Sequence, residues 1–152
     1  MANPEIHFVN ADEMLKAQVL NEWGELQARH MHLCDGFSIV ALFENTLVGL
    51  ISVKWKILPP PLPETHEGFI DIIEVQKDYR RRGIAKHLVD MSLERAKKEN
   101  VYQMRAWSSS DKTEAIPMWK AMGFCLCPAT IYPEGQDVSG FFVVKRLNVE
   151  QE

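Results

Sequence analysis

A short basic turn carries the clearest chemical pattern in this sequence. It places four cationic side chains around one glycine, between an apolar segment and an amphipathic one; the residues are Arg80, Arg81, Arg82, Gly83 and Lys86. Such a turn presents successive backbone N–H groups and the positive end of a helix to one point in space, an arrangement that favours phosphate. An ordinary turn with a solvated basic face is the alternative that spacing alone leaves open.

Two regular elements must hold this turn in place. Phe69–Val75 is nearly continuous in β-branched and apolar residues and predicts a strand. From about Ile84 to Lys98, apolar and small residues recur at helical spacing and predict an amphipathic helix. Gly83, which has no side chain, permits close approach of the backbone to a ligand.

The pattern of the turn resembles a known cofactor loop. Val75 followed by Arg80-x-x-Gly83-x-Ala85 is similar to the coenzyme A pyrophosphate loop of the GNAT superfamily, the acetyl-CoA-dependent N-acetyltransferases. In that family an apolar strand end precedes Arg/Gln-x-x-Gly-x-Gly/Ala. A second segment, Met118–Phe124, resembles the family's helix that ends in Gly-Phe before a late strand. The resemblance covers most of the chain, because the elements on both sides follow the family's order.

The resemblance implies the fold class. We expect an α/β (α+β) chain in which residues 1–152 form a single GNAT domain, with a mixed, mostly antiparallel twisted sheet flanked by helices. The family's fourth and fifth strands run parallel and splay apart, and the cofactor enters the gap between them. Composition agrees, since 152 residues with 46% hydrophobic content suit one globular domain with a full core.

The resemblance also implies acetyl-CoA as the cosubstrate and indicates the residues that hold it. Backbone groups at Ile73, Glu74 and Val75 would bind the pantetheine and the thioester oxygen. The basic turn would hold the pyrophosphate, mainly through main-chain N–H groups; the residues carried over are Arg80, Arg81, Arg82, Gly83, Ile84, Ala85 and Lys86. Asp111 falls near the place where relatives often have an asparagine that contacts the cofactor.

Trp119 departs from the family pattern, because many relatives have a tyrosine there whose hydroxyl protonates the leaving thiolate. An indole N–H donates a hydrogen bond but does not readily give up its proton. Trp119 is therefore expected either to pack against the pantetheine arm or to belong to the core. A thiolate can leave without general-acid help, so activity is not excluded.

The reaction implied is direct attack of a primary amine on the thioester in a ternary complex, which requires removal of a proton from the ammonium group. Asp71 and Glu74 are the nearest carboxylates on the strand, and alternation predicts that they point to opposite faces. Asp71 shares its face with Ile73 and Val75, at a place where many relatives carry an acidic residue. Both carboxylates are candidate bases; the alternative is a strand-end group that hydrogen-bonds or attracts a cationic substrate.

Charge and cysteine content exclude several other classes. A formal net charge of −4 argues against general nucleic-acid binding. No apolar run is long enough to cross a membrane, and Met1–Glu5 lacks the regions of a signal peptide. Three cysteines, Cys34 and Cys125-x-Cys127, indicate reduced thiols in a cytoplasmic protein. We expect no metal site, because no partner stands at ligand spacing from the cysteine pair.

Periodicity and turn residues predict the remaining elements. The N-terminal half should contain a strand at Ile6–Val9, one or two helices between Ala11 and Leu33 with Asp12 as N-cap, a hairpin turned at Glu44-Asn45, and a proline-rich loop at Leu58–Glu64. The helical stripe expected in the core is Leu15, Val19, Trp23, Leu26 and His30. His66 and Glu67, placed at the loop, are weaker candidates for the base.

The C-terminal half should contain strands at Val101–Trp107, Phe124–Tyr132 and Gly140–Leu147, with a helix at Thr113–Met122 that opens on a capping box from Asp111 to Glu114. Pro117 either kinks this helix or marks a later start.

Two functions remain open from the sequence. The first is an N-acetyltransferase that moves an acetyl group from acetyl-CoA to a primary amine. The alternative is a non-catalytic coenzyme A or acetyl-CoA binding module, which Trp119 in place of the tyrosine supports. The acceptor would be an amine-bearing small molecule or a protein or peptide amine, and the sequence does not select between them. A homodimer is compatible with the family.

Overall fold

The computed structural model describes residues 5–147, which form seven strands and four α-helices. The strands are β1 (His7–Asn10), β2 (Gly36–Phe43), β3 (Thr46–Ile57), β4 (His66–Val75), β5 (Gln103–Ser109), β6 (Cys125–Ile131) and β7 (Val138–Arg146). The helices are α1 (Glu13–Glu22), α2 (Glu25–Arg29), α3 (Ile84–Lys98) and α4 (Ala115–Ala121). The prediction that the chain starts without a signal peptide falls mostly on residues 1–4, outside the described range.

Between residues 5 and 147 the strands follow the sheet order β1-β2-β3-β4-β5-β7-β6. β4 and β5 are parallel and the other neighbours are antiparallel. This mixed α/β arrangement confirms the predicted fold class. The chain divides into two compact units: the first extends to Trp55 and includes Ile70–Arg95, and the second comprises Lys56–Phe69 and the residues from Ala96 onward.

β2 and β3 form the predicted hairpin of the first unit. Its two-residue turn is Glu44-Asn45, with φ of 48° and 68°. A pair of left-handed residues matches the right-handed twist of antiparallel strands, which explains the tight turn. Phe43 pairs with Thr46 across it. Both strands are buried along most of their length, as their apolar sequences predict.

The predicted apolar stripe of the first helical segment is only partly correct. Asp12 caps α1 as predicted, because its Oδ1 accepts a hydrogen bond from the backbone N–H of Leu15 at 2.9 Å. Gly24, with a φ of 115°, then separates α1 from α2 and changes the helical phase. As a result Leu26 is exposed, and Ala28 is buried in its place.

In the second unit, the Gly-Phe pair that follows α4 is a helix cap. Gly123 has a φ of 85°; its N–H donates to the carbonyl of Lys120 at 3.1 Å, and the N–H of Phe124 donates to the carbonyl of Trp119 at 3.0 Å. These are the two hydrogen bonds of a Schellman motif. The rings of Trp119 and Phe124 supply its apolar contact, with centroids 4.8 Å apart. The Nζ of Lys145 donates to the carbonyl just before Gly123 at 2.5 Å.

The start of α4 differs from the prediction. The helix begins at Ala115 rather than Thr113, and Glu114 makes no side-chain cap hydrogen bond, so the predicted capping box from Asp111 is wrong. Pro117 explains the later start, because proline has no N–H to donate and is tolerated only in the first turn of a helix. It is now the third helical residue.

β4 and β5 carry a buried ion pair in the second unit. Glu67, predicted to lie at the preceding loop, is instead inside β4 and fully buried. Arg105 donates to both of its oxygens, each at 2.8 Å, and its guanidinium lies over the rings of Phe69 and Phe142. Hydrogen bonding to Glu67 raises the pKa of Arg105 more than desolvation lowers it. Glu67 is therefore committed to a structural pair.

We predict that Glu67→Gln lowers the free energy of unfolding by about 2–3 kcal/mol, because it leaves the guanidinium of Arg105 without its carboxylate. The Arg105 side chain is 27% exposed, and this access to water keeps the loss below that of a fully buried pair. Urea unfolding followed by tryptophan fluorescence measures the change.

The matched control is Asp90→Asn, which removes an exposed 4.0 Å contact to Lys86 within α3. This variant should change the free energy of unfolding by less than about 0.5 kcal/mol. Equally small losses in both variants would contradict a stabilising role for the buried pair.

Candidate functional site

The end of β4 leads directly into the basic turn. Val75 is buried, and the backbone N–H of Gln76 donates to the carbonyl of Val48 at 2.8 Å. A one-turn 3-10 helix, Lys77–Tyr79, follows. The Nε of Arg80 then donates back to the carbonyl of Val75 at 3.1 Å. The chain therefore leaves the sheet from a fixed point.

The backbone of the turn is left-handed at two positions, with φ of 64° at Arg81 and 80° at Gly83. The carbonyl of Gly83 accepts the N–H of His87 at 3.0 Å as α3 begins. A Cβ placed on Gly83 would meet nothing within 4 Å, so this side of the turn is open. The first N–H groups of α3, a helix of 15 residues, lack partners within the helix and carry its positive partial charge.

Cationic side chains flank this open backbone. The guanidinium of Arg82 lies 4.9 Å from the centre of the Tyr79 ring, and the Nζ of Lys86 lies 4.0 Å from the carboxylate of Asp90. Exposed contacts of these kinds are worth about 1 kcal/mol or less, so both cations can turn toward a bound anion. An open left-handed turn, a helix start and mobile cations together fit a pyrophosphate group.

Gly49 in β3 sets how closely α3 approaches the sheet. A Cβ on this glycine would lie 3.0 Å from the Cγ2 of Ile84 and 3.3 Å from the Cδ1 of Leu88. Both of these helix residues are buried. Any side chain at this position would push the first turns of α3 outward, and the N–H groups with them.

A cleft of about 260 Å³ opens beside the end of β4 in the first unit. Its walls come from α1, α2, β4 and the turn; the lining residues are Glu22, Trp23, Gln27, Glu74, Val75, Gln76, Lys77 and Arg80. The Nε2 of Gln27 donates to the Oε2 of Glu74 at 3.2 Å. Two carboxylates and two cations line the same cleft, which suits a ligand that carries both a charged amine and anionic groups.

Asp71 is bound to a histidine that the sequence analysis did not single out. The Nε2 of His32 lies 2.8 Å from the Oδ2 of Asp71, and its Nδ1 lies 3.0 Å from the Oδ1 of Asp35. A ring nitrogen that carries a proton donates to the carboxylate beside it, and each nitrogen of this ring has a carboxylate within hydrogen-bond distance. Desolvation would raise the pKa of Asp35, but the hydrogen bond and the charge of His32 outweigh it and hold that pKa below its usual value.

Two buried serines hold the main chain of His32. Its N–H donates to the Oγ of Ser52 at 2.7 Å, and its carbonyl accepts from the Oγ of Ser38 at 2.9 Å. Both serines lie on the hairpin strands and are buried. The backbone at His32 is therefore fixed independently of its imidazole.

The two predicted carboxylates have different hydrogen-bond partners, which come from neighbouring positions of the chain. Glu74 bonds to Gln27 in α2, and Asp71 bonds to His32, three residues after α2. Both partners come from one segment of the first unit. His30, the histidine of the predicted stripe, instead places its Nδ1 2.7 Å from the carbonyl four residues earlier. No periodicity marks the two partners, because the helical phase changes at the α1–α2 break.

Trp119 and Asp111, also predicted at the cofactor, belong to the second unit. Trp119 is 2% exposed, and its Nε1 has no hydrogen-bond partner among residues 5–147. A buried donor left unpaired costs about 1–3 kcal/mol, which a bound acceptor atom would recover. Asp111 is exposed, and a hydrogen bond from Ser109 lowers its pKa.

The described part of the chain contains neither a cluster of metal-ligating side chains nor a helix that could span a membrane. No group of three or more His, Cys, Asp or Glu side chains between residues 5 and 147 could hold a metal ion. Cys34, Cys125 and Cys127 are exposed free thiols. Over the same residues, no helix has both the length and the apolar character needed to cross a membrane.

Comparison with known proteins relates the chain to one family. Residues 6–124 match the model of the Acetyltransferase (GNAT) family. A segment of 95 residues is 27% identical to N-alpha-acetyltransferase 30 of Schizosaccharomyces pombe; it spans 62% of this chain and 61% of that protein. The match therefore leaves more than a third of that relative's length uncovered.

Solved structures share the fold. Arabidopsis thaliana NAA60 in complex with a bisubstrate analogue superimposes with a TM-score of 0.75 at 18% identity, over 95% of this chain and 99% of that one. Arabidopsis thaliana Naa50 in complex with the bisubstrate analogue CoA-Ac-MVNAL gives a TM-score of 0.72 at 16% identity, over 92% and 97% of the two chains.

We predict that Gly49→Ala weakens binding of inorganic pyrophosphate several-fold and lowers the free energy of unfolding by about 1–3 kcal/mol, because the added Cβ displaces the start of α3. Isothermal titration and urea unfolding measure the two effects.

The control is a double-mutant cycle with Ile84→Ala, which removes the nearest clashing atom. The double variant should lose less stability than the sum of the two single variants. Strict additivity would show that Gly49 does not set the position of the helix.

Proposed function

Because this chain belongs to the GNAT acetyltransferase family, we propose that it transfers an acetyl group from acetyl-CoA to a primary amine in a ternary complex. The observation that carries this proposal is the open left-handed turn at Arg81 and Gly83, at the start of α3. Residues 1–152 would act as a single N-acetyltransferase domain.

The basic turn would hold the pyrophosphate of acetyl-CoA. Main-chain N–H groups from Gly83 to Lys86 would contact it, and the side chains of Arg80, Arg81 and Arg82 would add charge. Backbone groups at Ile73, Glu74 and Val75 would hold the pantetheine and polarise the thioester carbonyl. When bound, acetyl-CoA supplies an activated acyl group that an amine can attack.

Trp119 and Asp111 complete the proposed cofactor residues. The unpaired Nε1 of Trp119 supports a role as hydrogen-bond donor to the bound cofactor, since that contact would remove the cost of an unsatisfied buried group. Asp111 would contact the cofactor from its exposed position.

The acceptor amine would enter the cleft beside β4. Glu22 and Glu74 line it and would attract an ammonium group. Either Glu74, or Asp71, which lies three residues earlier on β4 and is not among the lining residues, would remove the proton that blocks attack. The relatives support a peptide or protein α-amine as the acceptor class, because one of them is an N-alpha-acetyltransferase and the Naa50 structure contains the bisubstrate analogue CoA-Ac-MVNAL. A small-molecule amine is the other acceptor class.

A second candidate function, a coenzyme A binding module without turnover, is favoured by one observation. Trp119 is buried against Phe124 and offers no ionisable hydroxyl to protonate a leaving thiolate. Such a module would bind acetyl-CoA but release no thiol with any amine. Binding and turnover therefore have to be measured separately.

We also propose a cytoplasmic location and a homodimeric assembly. Exposed free thiols at Cys34, Cys125 and Cys127 are typical of a reducing compartment and support a cytoplasmic location. A homodimer is the assembly that the family suggests.

We predict that Gly83→Glu abolishes binding of acetyl-CoA, because it places bulk and negative charge where the pyrophosphate would lie. Isothermal titration measures the affinity. Gly135→Glu is the matched control: its φ is 78° against 80°, and a Cβ at either glycine would meet nothing within 4 Å. Both variants carry the same backbone strain and the same added charge, so only the location differs. Equal affinity in both would refute the assigned loop.

We predict thiol release from acetyl-CoA with the peptide Met-Val-Asn-Ala-Leu, the acceptor sequence in the Naa50 complex.

Asp71→Asn should lower kcat about 100-fold or more if Asp71 removes the proton, and Glu74→Gln should raise KM for the peptide by weakening the attraction of the ammonium. The assay follows free thiol with time. Acetyl-CoA binding without thiol release for any amine tested would favour the binding module.

A further inference from the structure

The imidazole of His32 has no role in the function proposed so far, although it joins two carboxylates. Asp71 lies on one side of the ring and Asp35 on the other, at 2.8 and 3.0 Å. The His32 side chain is only 13% exposed, whereas those of Asp71 and Asp35 are 29% and 56% exposed. A ring this buried, with a bond from each nitrogen, is held in one orientation.

The two oxygens of Asp71 differ as a result. Oδ2 is bound by His32, whereas Oδ1 makes no hydrogen bond to the residues that the structure describes. The Asp71 side chain is 29% exposed, so a donor from outside can approach this carboxylate. An ammonium group is such a donor, and it carries the charge that a carboxylate attracts.

Asp35 balances the charge of the ring. With both ring nitrogens protonated, the imidazolium and the two carboxylates sum to one negative charge. Lys54 of β3 is the other charged group that acts here, through its attraction to Asp35. Because Lys54 brings that sum to zero, the carboxylate of Asp71 itself, and not a net charge of the group, attracts a cationic acceptor.

We propose that His32, oriented by Asp35, is the positioning residue that holds Asp71 with Oδ1 directed to the acceptor ammonium. The inference rests on the proposed acetyl transfer. In the step concerned, an N–H bond of the ammonium breaks and an O–H bond forms on Oδ1 of Asp71. The freed lone pair of the amine forms a C–N bond to the thioester carbonyl carbon, the C–S bond breaks, and the leaving thiolate takes up the second proton that the new amide nitrogen releases. His32 acts through Asp71 and does not touch the acceptor.

A purely structural role for the imidazole is disfavoured by the contacts of its main chain. Ser52 and Ser38 already bind the N–H and the carbonyl of His32, and the N–H of Trp55 donates to the carbonyl of Asp35 at 2.9 Å. The segment is thus fixed to the hairpin without the ring. Replacement of the ring should therefore leave the fold intact.

The test compares His32→Leu with His32→Gln in the thiol-release assay with the peptide Met-Val-Asn-Ala-Leu. Leucine removes the donor to Asp71, and glutamine keeps a neutral one. We expect His32→Leu to lower kcat/KM for the peptide about 100-fold and His32→Gln to stay within about 10-fold of the native protein. The affinity for acetyl-CoA, measured by titration, should be unchanged in both. His30→Leu, at a histidine without a carboxylate bond in the structure, is the matched control.

A double variant tests whether His32 acts through Asp71. His32→Leu added to Asp71→Asn should cost little beyond Asp71→Asn alone, because the carboxylate to be positioned is gone. Additive losses, full activity of His32→Leu, or equal losses in His32→Leu and His32→Gln with a lowered melting temperature would each overturn the inference. No thiol release by the native protein with any peptide or small-molecule amine tested would overturn the proposed function itself, and the inference with it.

Discussion

The close approach of α3 to β3 is the constraint on which the rest of the first unit depends. The absence of a side chain at Gly49 allows Ile84 and Leu88 to pack directly on the hairpin strand. This contact fixes the position at which α3 starts. The left-handed turn at Arg81 and Gly83 can be short because α3 starts so close to the sheet. The N–H groups at that start have a defined direction without any help from the arginine side chains. An anion site built in this way tolerates change in the side chains of the turn more readily than change in the packing beneath it.

The polar contacts of the first unit give its two strand carboxylates different surroundings. Glu74 is bound by the neutral amide of Gln27 and lines an open cleft, whereas Asp71 is bound by an imidazole that a second carboxylate orients. Two acidic groups in unlike environments can divide the work of attracting a cation and accepting its proton. Both environments depend on the irregular stretch around α2. Regular strand pairing fixes the position of β4, whereas the hydrogen-bond partners of both carboxylates come from the stretch around α2.

The elements that could be predicted from sequence are those with a local cause. Residues Ile84–Lys98 form α3 with the bounds that helical spacing predicted, Asp12 caps α1, and the hairpin turns at Glu44-Asn45. Predictions failed where a single residue changed the phase of a helix or delayed its start. Gly24 turned Leu26 outward, and Pro117 moved the start of α4 beyond the predicted capping box.

The parts of the candidate site also differ in whether the sequence could predict them. Its basic turn is one continuous segment and was visible in the sequence, whereas the bond between Asp71 and His32 joins residues 39 positions apart. No pattern in one sequence encodes such a pairing, because it depends on how the stretch after α2 lies across the hairpin strands. Glu67 shows the reverse case: the nearby proline-rich loop led to its placement at the loop, and the residue instead lies buried within β4.

The Gly-Phe pair after α4 has a consequence for how chains of this kind are sorted into families. Its glycine supplies the left-handed residue of a Schellman cap, its phenylalanine packs on Trp119, and Lys145 binds the last carbonyl. Every one of these contacts serves to end a helix. A descendant that had lost its chemistry would still need the pair in order to fold. Recognition by this signature therefore follows ancestry and architecture, and it would group active enzymes with inactive copies that kept the same helix terminus.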